Sequence, residues 1–517
     1  MTRRIAIIGG GITGLATAAL LADRGDEVTV FEALEDVGGR AGSWEKDGFR
    51  FDTGPSWYLM PEVFDHFFAL LGTTAAEQLD LVRLDPAYRV YHEGEREPFD
   101  VVSGRDAAVA AFEAREPGAG AKLAAYLDSA GEIYDLAVSR FLYDPYVSLK
   151  GLAHPDVLSK LGTLLPLLLR PLSTHVEKQF SDPVLQQVLG YPAVFLGGSP
   201  YDAPSLYHLM SHLDLDDGVL YPRGGFVQII RAIARLAEER GAVIRTSSRV
   251  DRIITVGDVA TGIRLADGTR VEADHVISTA DMHHTETELL EPDLRSRSDA
   301  WWDKRVPSFG ALLILLGVEG ELPELEHHTL LFTKDWKANF DAIFGEDTAG
   351  AIPDPASLYV CRPSATDDDV APAGHENLFV LVPMPAAPEL GRGGVDGAGD
   401  APIEAAADAV VAQIAAWTGV ADLADRVRVR RTISPGDFAA DFGSFRGGAL
   451  GLAHTLRQSA MFRPGLRSKV DGLLYAGQTV LPGVGLPMCL ISAELIVKLL
   501  DGDISTGQIP ESLSSER

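Results

Sequence analysis

Ile5-Ala6-Ile7-Ile8-Gly9-Gly10-Gly11-Ile12-Thr13-Gly14 decides the fold. The apolar run from Arg4 to Ile8 reads as a buried parallel strand, and Ile12 to Arg24, rich in Ala and Leu and stopped by Gly25, as a helix. Val28 to Glu32 is a second buried strand, so the segment is a βαβ unit. Gly9, Gly11 and Gly14 have the spacing G-x-G-x-x-G. The first turns the chain off the strand, the second leaves room for a pyrophosphate, and the third packs helix on strand. The helix N-terminus, at Ile12 and Thr13, offers free N–H donors to the diphosphate. Glu32 ends the second strand, where a carboxylate accepts from ribose hydroxyls and repels a 2′-phosphate.

Working outward, Gly38-Gly39-Arg40 allows a second close backbone approach and supplies a cation for the diphosphate. Phe51-Asp52-Thr53-Gly54-Pro55-Ser56 follows. Near the other end stands Leu474-Tyr475-Ala476-Gly477-Gln478-Thr479-Val480-Leu481-Pro482-Gly483-Val484-Gly485-Leu486-Pro487, a glycine-rich return leading into a last helix. A cofactor gripped from both ends of a long chain is typical of flavin oxidoreductases.

The chain has 517 residues, enough for two or three cores. Its formal net charge of −29 and lack of a basic run argue against nucleic acid as a partner. Cys361 and Cys489 alone make neither a disulfide framework nor a cysteine metal site, and a reducing cytosol is the default. Arg3 and Arg4 before an apolar stretch resemble a secretion signal, but the stretch breaks at Gly9-Gly10-Gly11 and reads as mature protein. No apolar run is long enough to span a bilayer.

Further elements follow from periodicity: an amphipathic helix over Phe226–Arg240, short strands at 242–245, 250–254, 262–265 and 271–272, a long apolar strand over Ser308–Val318, and a helix over Ile403–Trp417. The fold class is α/β, a Rossmann-type nucleotide-binding domain with a discontinuous α+β substrate domain. Residues 1–85, 220–290 and 450–502 form the first, 86–219 and 291–449 the second. Residues 385–402 read as an exposed mobile loop, and 503–517 as a disordered tail.

The run from Arg4 to Pro55 resembles the flavin-dependent amine oxidase and carotenoid desaturase superfamily. The segment 477–487 is similar to that of the bacterial phytoene desaturases, as are Leu196-Gly197-Gly198-Ser199-Pro200 and Gly218-Val219-Leu220-Tyr221-Pro222-Arg223-Gly224-Gly225. The resemblance implies FAD, held by Gly9, Gly11, Ile12, Thr13, Gly14, Glu32, Gly39, Arg40, Gly54, Pro55, Ser56, Val250, Gly477, Gln478, Gly485, Leu486 and Pro487. Gln478 departs from relatives that carry an acid there; an amide still hydrogen-bonds. The implied activity is desaturation of phytoene toward a lycopene-type polyene, with hydride transfer to flavin N5 and oxygen or a quinone as final acceptor. Alternatives are another flavoenzyme of the same fold (carotenoid desaturase, ketolase, isomerase or amine oxidase) and a non-enzymatic lipid carrier. No catalytic base is identifiable.

A hydrocarbon substrate calls for a long apolar tunnel, with candidate walls Phe195, Leu196, Leu209 and Leu312 to Leu316. Leu161 to Leu172, flanked by Lys160, Arg170 and Lys178, is the candidate membrane contact, placing the protein peripherally on the inner face of the cell membrane. No metal is expected: His208 and His212 lack a third ligand, and His283-His284 and His327-His328 read as loop or surface residues. Asp367-Asp368-Asp369 reads as a solvated turn.

Overall fold

The computed structural model describes residues 2–147, 155–345 and 352–511. Five parallel strands form the nucleotide-binding sheet, in the order Leu473–Tyr475, His275–Ser278, Arg4–Ile8, Glu27–Phe31, Val243–Arg245. The opening strand sits at the centre because both of its faces are apolar, as a parallel sheet covered by helices requires. Helices Ile12–Asp23, Val227–Glu239 and Leu486–Asp501 pack around it. Strands that meet here come from the start, middle and end of the chain, so the nucleotide-binding sheet is assembled from distant segments.

A seven-stranded sheet builds the second layer, in the order Val427–Ile433, Gly310–Glu319, His375–Met384, Leu358–Cys361, His328–Phe332, Tyr88–His92, Phe99–Val101. Neighbours are antiparallel except the pair His328–Phe332 and Tyr88–His92. Strand geometry sends alternate residues to opposite faces. Leu312, Ile314, Leu316 and Val318 therefore join Ile403, Ala407, Val410 and Ile414 of the helix Ala401–Thr418 in a separate core. Phe309, Ala311 and Leu313 face the other way, into a cavity. The α/β class with a Rossmann-type domain and a discontinuous α+β partner is thus the observed architecture.

Three expectations are corrected. Residues 503–511 are not a disordered tail. Lys498 donates to the carbonyls of Ser505 (2.7 Å) and Gly507 (2.6 Å), Ile509 is buried, and its N–H donates to Glu494 at 2.6 Å. Residues 512–517 lie outside the described residues. The 385–402 stretch is not a free loop. Asp396 N–H donates to Arg430, Gly394 accepts from Thr432, and Gly393 N–H donates to Asp437, so the loop edges the big sheet. Asp367 is buried and accepts from the Tyr221 hydroxyl at 3.2 Å, so that acidic turn is not simply solvated.

Candidate active site

A cavity of about 770 Å³ runs between the two sheets. One end is walled by Gly9, Gly11, Ile12, Thr13, Glu32 and Gly39. Arg40, Gly54, Pro55, Ser56, Val250, Gly477, Gln478, Gly485, Leu486 and Pro487 complete that wall. Every candidate cofactor residue lines this one cavity except Gly14. That glycine works behind it: a Cβ there would stand 2.0 Å from the carbonyl oxygen of Gly9, so its role is contact between helix and strand.

Backbone geometry explains the cradle. Gly10 accepts from Gly38 N–H at 2.9 Å, docking the second glycine turn onto the first. The Glu32 carboxylate is fixed by the N–H groups of Gly10 (2.6 Å) and Leu34 (2.8 Å). Gly54 has no room for a side chain, since a Cβ would meet the Arg40 carbonyl oxygen at 1.9 Å. The helix Leu486–Asp501 starts at the cavity wall, so its positive end and first free N–H groups face the interior.

Arg40 is the most telling side chain. Its guanidinium meets the Ser444 hydroxyl and stands 5.2 Å from the Phe442 ring centre. The Gln478 amide faces both Nη atoms; turned with its oxygen toward the guanidinium, the orientation that satisfies both groups, it accepts from them at 3.1 and 3.3 Å. Among the described residues no carboxylate pairs with it, and its Nε is buried without a partner. Desolvation pulls its pKa down, against the longer-range attraction of Asp281. A desolvated cation with an orphaned donor in a glycine cradle has the chemistry that an anion satisfies, and a diphosphate carries the acceptors it lacks. Arg463 is a second buried guanidinium behind the same wall. It donates to the carbonyls of Gln478 (2.6 Å) and Leu452 (3.2 Å), and burial brings its pKa to about 10.

The chain belongs to the flavin containing amine oxidoreductase family, whose model matches residues 12–498. Its cofactor is FAD, and the protein is an oxidoreductase. The chain is 42% identical to a carotenoid 3,4-desaturase from Haloarcula japonica, over 97% of this chain and 98% of that one. It is 34% identical to a zeta-carotene-forming phytoene desaturase from Myxococcus xanthus, over 96% and 94%. A solved oxidoreductase from Methanosarcina mazei shares the fold with a TM-score of 0.60 at 17% identity, covering 96% of this chain and 99% of that one. The cradle fits the family's cofactor. Glu32 suits the ribose, Arg40 and the opening helix suit the diphosphate, and the C-terminal helix end suits the electron-rich edge of a reduced ring. FAD, when bound, supplies the hydride acceptor.

Beyond the cradle the cavity turns apolar. Ala311, Leu313, Phe379 and Leu381 of the big sheet form one wall, and Trp57, Tyr191, Phe195, Leu196, Leu209 and Met210 another. Of the expected tunnel residues, Phe195, Leu196, Leu209 and Leu313 line it. Leu312, Ile314 and Leu316 belong to the opposite face of their strand, and Leu315 is core. His284 lines the cavity from a short helix, and His208 is buried, its Nδ1–H donating to the Ser205 carbonyl at 3.0 Å and its Nε2 lying 3.0 Å from the Ser129 hydroxyl. His327 and His328 are fully interior rather than on a surface loop. They lie beside Cys361, with donor atoms of all three within 4.8 Å of one another. No spacing in the sequence announces that convergence.

Asp214 lies behind the cavity wall at Leu213, buried, with one oxygen accepting from Tyr88 at 3.1 Å and the other unpartnered. Burial pushes its pKa up to about 7. The folded state therefore keeps a proton that the unfolded chain releases near pH 4. Between those values the folded form binds more protons, and stability falls as pH rises, by at most about 1.4 kcal/mol per pH unit. Melting temperature should fall more steeply between pH 4 and 7 in the native protein than in Asp214→Asn. Identical pH dependence of the two would contradict this.

Proposed function

We propose that the protein is an FAD-dependent desaturase of an acyclic carotenoid, taking hydride and proton from adjacent carbons of a long hydrocarbon. The apolar cavity that opens from the cofactor cradle carries this reading, because it offers an extended chain dispersion contacts and shape but hardly any polar handle. Whole-length similarity to carotenoid desaturases supports it. Phytoene is the first candidate substrate. The 42% identity to a 3,4-desaturase favours a second, a more conjugated carotenoid oxidised near its end. Expression in bacteria that accumulate phytoene, and separately in bacteria that accumulate lycopene, tests both. A new coloured pigment in the first or a red-shifted one in the second supports the function; unchanged pigments in both oppose it. The final electron acceptor, oxygen or a quinone, is read from anaerobic turnover with each.

Such a substrate lies in lipid, and the reading extends to a peripheral site on a membrane. Helix Leu161–Leu169 turns Leu164 and Leu167 onto Ile133, Leu136 and Val157. Leu158, Leu161, Leu165 and Leu169 are left exposed on one stripe, Leu169 at 65%. Leu161 and Leu165 also line the cavity, so the stripe borders its mouth. Among the described residues no helix is long and apolar enough to cross a membrane. Leu165→Asp/Leu169→Asp is expected to lose liposome binding roughly tenfold or more in flotation, with folding intact because neither side chain is in the core. Flotation equal to the native protein's argues against the site.

A further inference from the structure

At the cofactor end of the apolar cavity stands a polar chain of three residues. Ser56 Oγ lies 2.7 Å from the Tyr359 hydroxyl, which lies 2.7 Å from Nδ1 of His328. Ser56 and Tyr359 line the cavity beside Gly54 and Pro55, whereas His328 is fully buried behind them. Trp57 stacks on the His328 ring at 4.6 Å between centres and 10° between planes, fixing its orientation. Ser56 comes from the nucleotide-binding part of the chain, Tyr359 and His328 from neighbouring strands paired at Leu330–Tyr359 in the big sheet.

We propose that the Tyr359 hydroxyl accepts the proton lost in desaturation while passing its own proton to Nδ1 of His328. This rests on the desaturase reading above. Desaturation breaks two C–H bonds on adjacent carbons. One hydrogen leaves with its electron pair to the flavin. The other leaves as a proton, and its bonding pair becomes the new π bond. Tyr359 oxygen takes that proton as the phenolic proton crosses to the imidazole, so the phenol is neutral before and after and the charge rests on His328. A carbon beside a developing allylic cation is strongly acidic, so a phenol backed by an imidazole is base enough. Burial, with His327 alongside, lowers the His328 pKa and leaves its Nδ1 unprotonated, so the imidazole holds the proton only transiently; burial likewise keeps Tyr359 protonated. His454, which also lines the cavity, differs in its contacts: its Nδ1–H donates to the Leu196 carbonyl at 2.8 Å and its Nε2 faces the Arg463 guanidinium at 3.2 Å, so neither nitrogen backs a cavity hydroxyl.

Single-turnover reduction of the FAD-loaded enzyme by substrate in liposomes tests this, using Tyr359→Phe, His328→Gln and Ser56→Ala. Tyr359→Phe should keep the flavin spectrum and FAD content, and slow reduction on the order of 100-fold. It should also raise the primary deuterium isotope effect at the carbon that loses the proton above the native value, which a purely structural loss would not do. Tyr359 is the catalytic residue and His328 a positioning and proton-holding one, so His328→Gln should show the same isotope signature. Ser56→Ala, measured with FAD bound because Ser56 also belongs to the cofactor wall, should slow reduction less than about tenfold, since toward Tyr359 it removes only the flanking hydrogen bond. Native turnover combined with an unaltered isotope effect in Tyr359→Phe overturns the proposal and leaves the desaturase reading standing. A native enzyme that yields no desaturated product overturns both.

Discussion

Gly11→Val is expected to fold and to lose FAD. Nothing in the protein itself demands glycine at this position. Its φ of −73° is ordinary for any residue, and the nearest atom to an added Cβ is the Gly38 carbonyl oxygen at 3.9 Å. The space a side chain would enter is the cradle between the two glycine turns. A branched side chain there excludes the diphosphate and covers the free N–H groups of the helix start. Affinity for FAD should fall on the order of 100-fold or more, about 2.7 kcal/mol or greater. Isothermal titration of FAD into the apoprotein measures it, with circular dichroism as the check on folding. The contrast is Gly14→Val. There the Cβ would overlap the Gly9 carbonyl oxygen, and the clash lies between protein atoms. That variant should fail to fold whether FAD is supplied or not. If Gly11→Val bound FAD as the native chain does, the cradle would not be where the diphosphate rests.

These two glycines also show why the nucleotide site was legible in the sequence. Strand, turn, helix and acidic strand end fall within 32 residues, so local periodicity and turn chemistry report the whole of it. Arg40 was legible for the same reason, next to its own glycine pair. The big sheet was less so. Only the Gly310–Glu319 strand has the length and unbroken apolarity that mark a buried strand alone. His328–Phe332 and His375–Met384 are interior yet begin with polar residues such as His, Glu and Asn, and Leu358–Cys361 is only four residues long, too short to stand out. Their burial is decided by pairing with neighbours, which no window of sequence reports. The convergence of Ser56, Tyr359 and His328 spans some 300 residues and has no spacing signature. The tunnel was half legible: an apolar run shows that a strand is buried, but not which of its two faces meets a core and which a cavity.

That division of faces sets the second large effect. Ala311→Trp should abolish desaturation with FAD still bound. Ala311 lines the cavity on the strand Gly310–Glu319, next to Leu313 on the same face. An indole there extends into open volume, so it fills the path of the substrate rather than displacing packed side chains. The glycine cradle is built from other segments, the turns at Gly9–Gly11 and Gly38–Arg40, which keep their own hydrogen bonds. Product formation should drop on the order of 100-fold, and the flavin should still bleach with dithionite but not with substrate. Leu312→Trp, one residue along, provides the opposite outcome. Leu312 is wholly buried in the core against the helix Ala401–Thr418, where added volume forces neighbours off their rotamers at a cost of about 1–3 kcal/mol or more. It should lower the melting temperature and leave the turnover of whatever folds largely intact. If instead Ala311→Trp turned over substrate at the native rate, the chain would have to reach the flavin by another route, and the wall formed by Ala311, Leu313, Phe379 and Leu381 would be core surface rather than substrate surface.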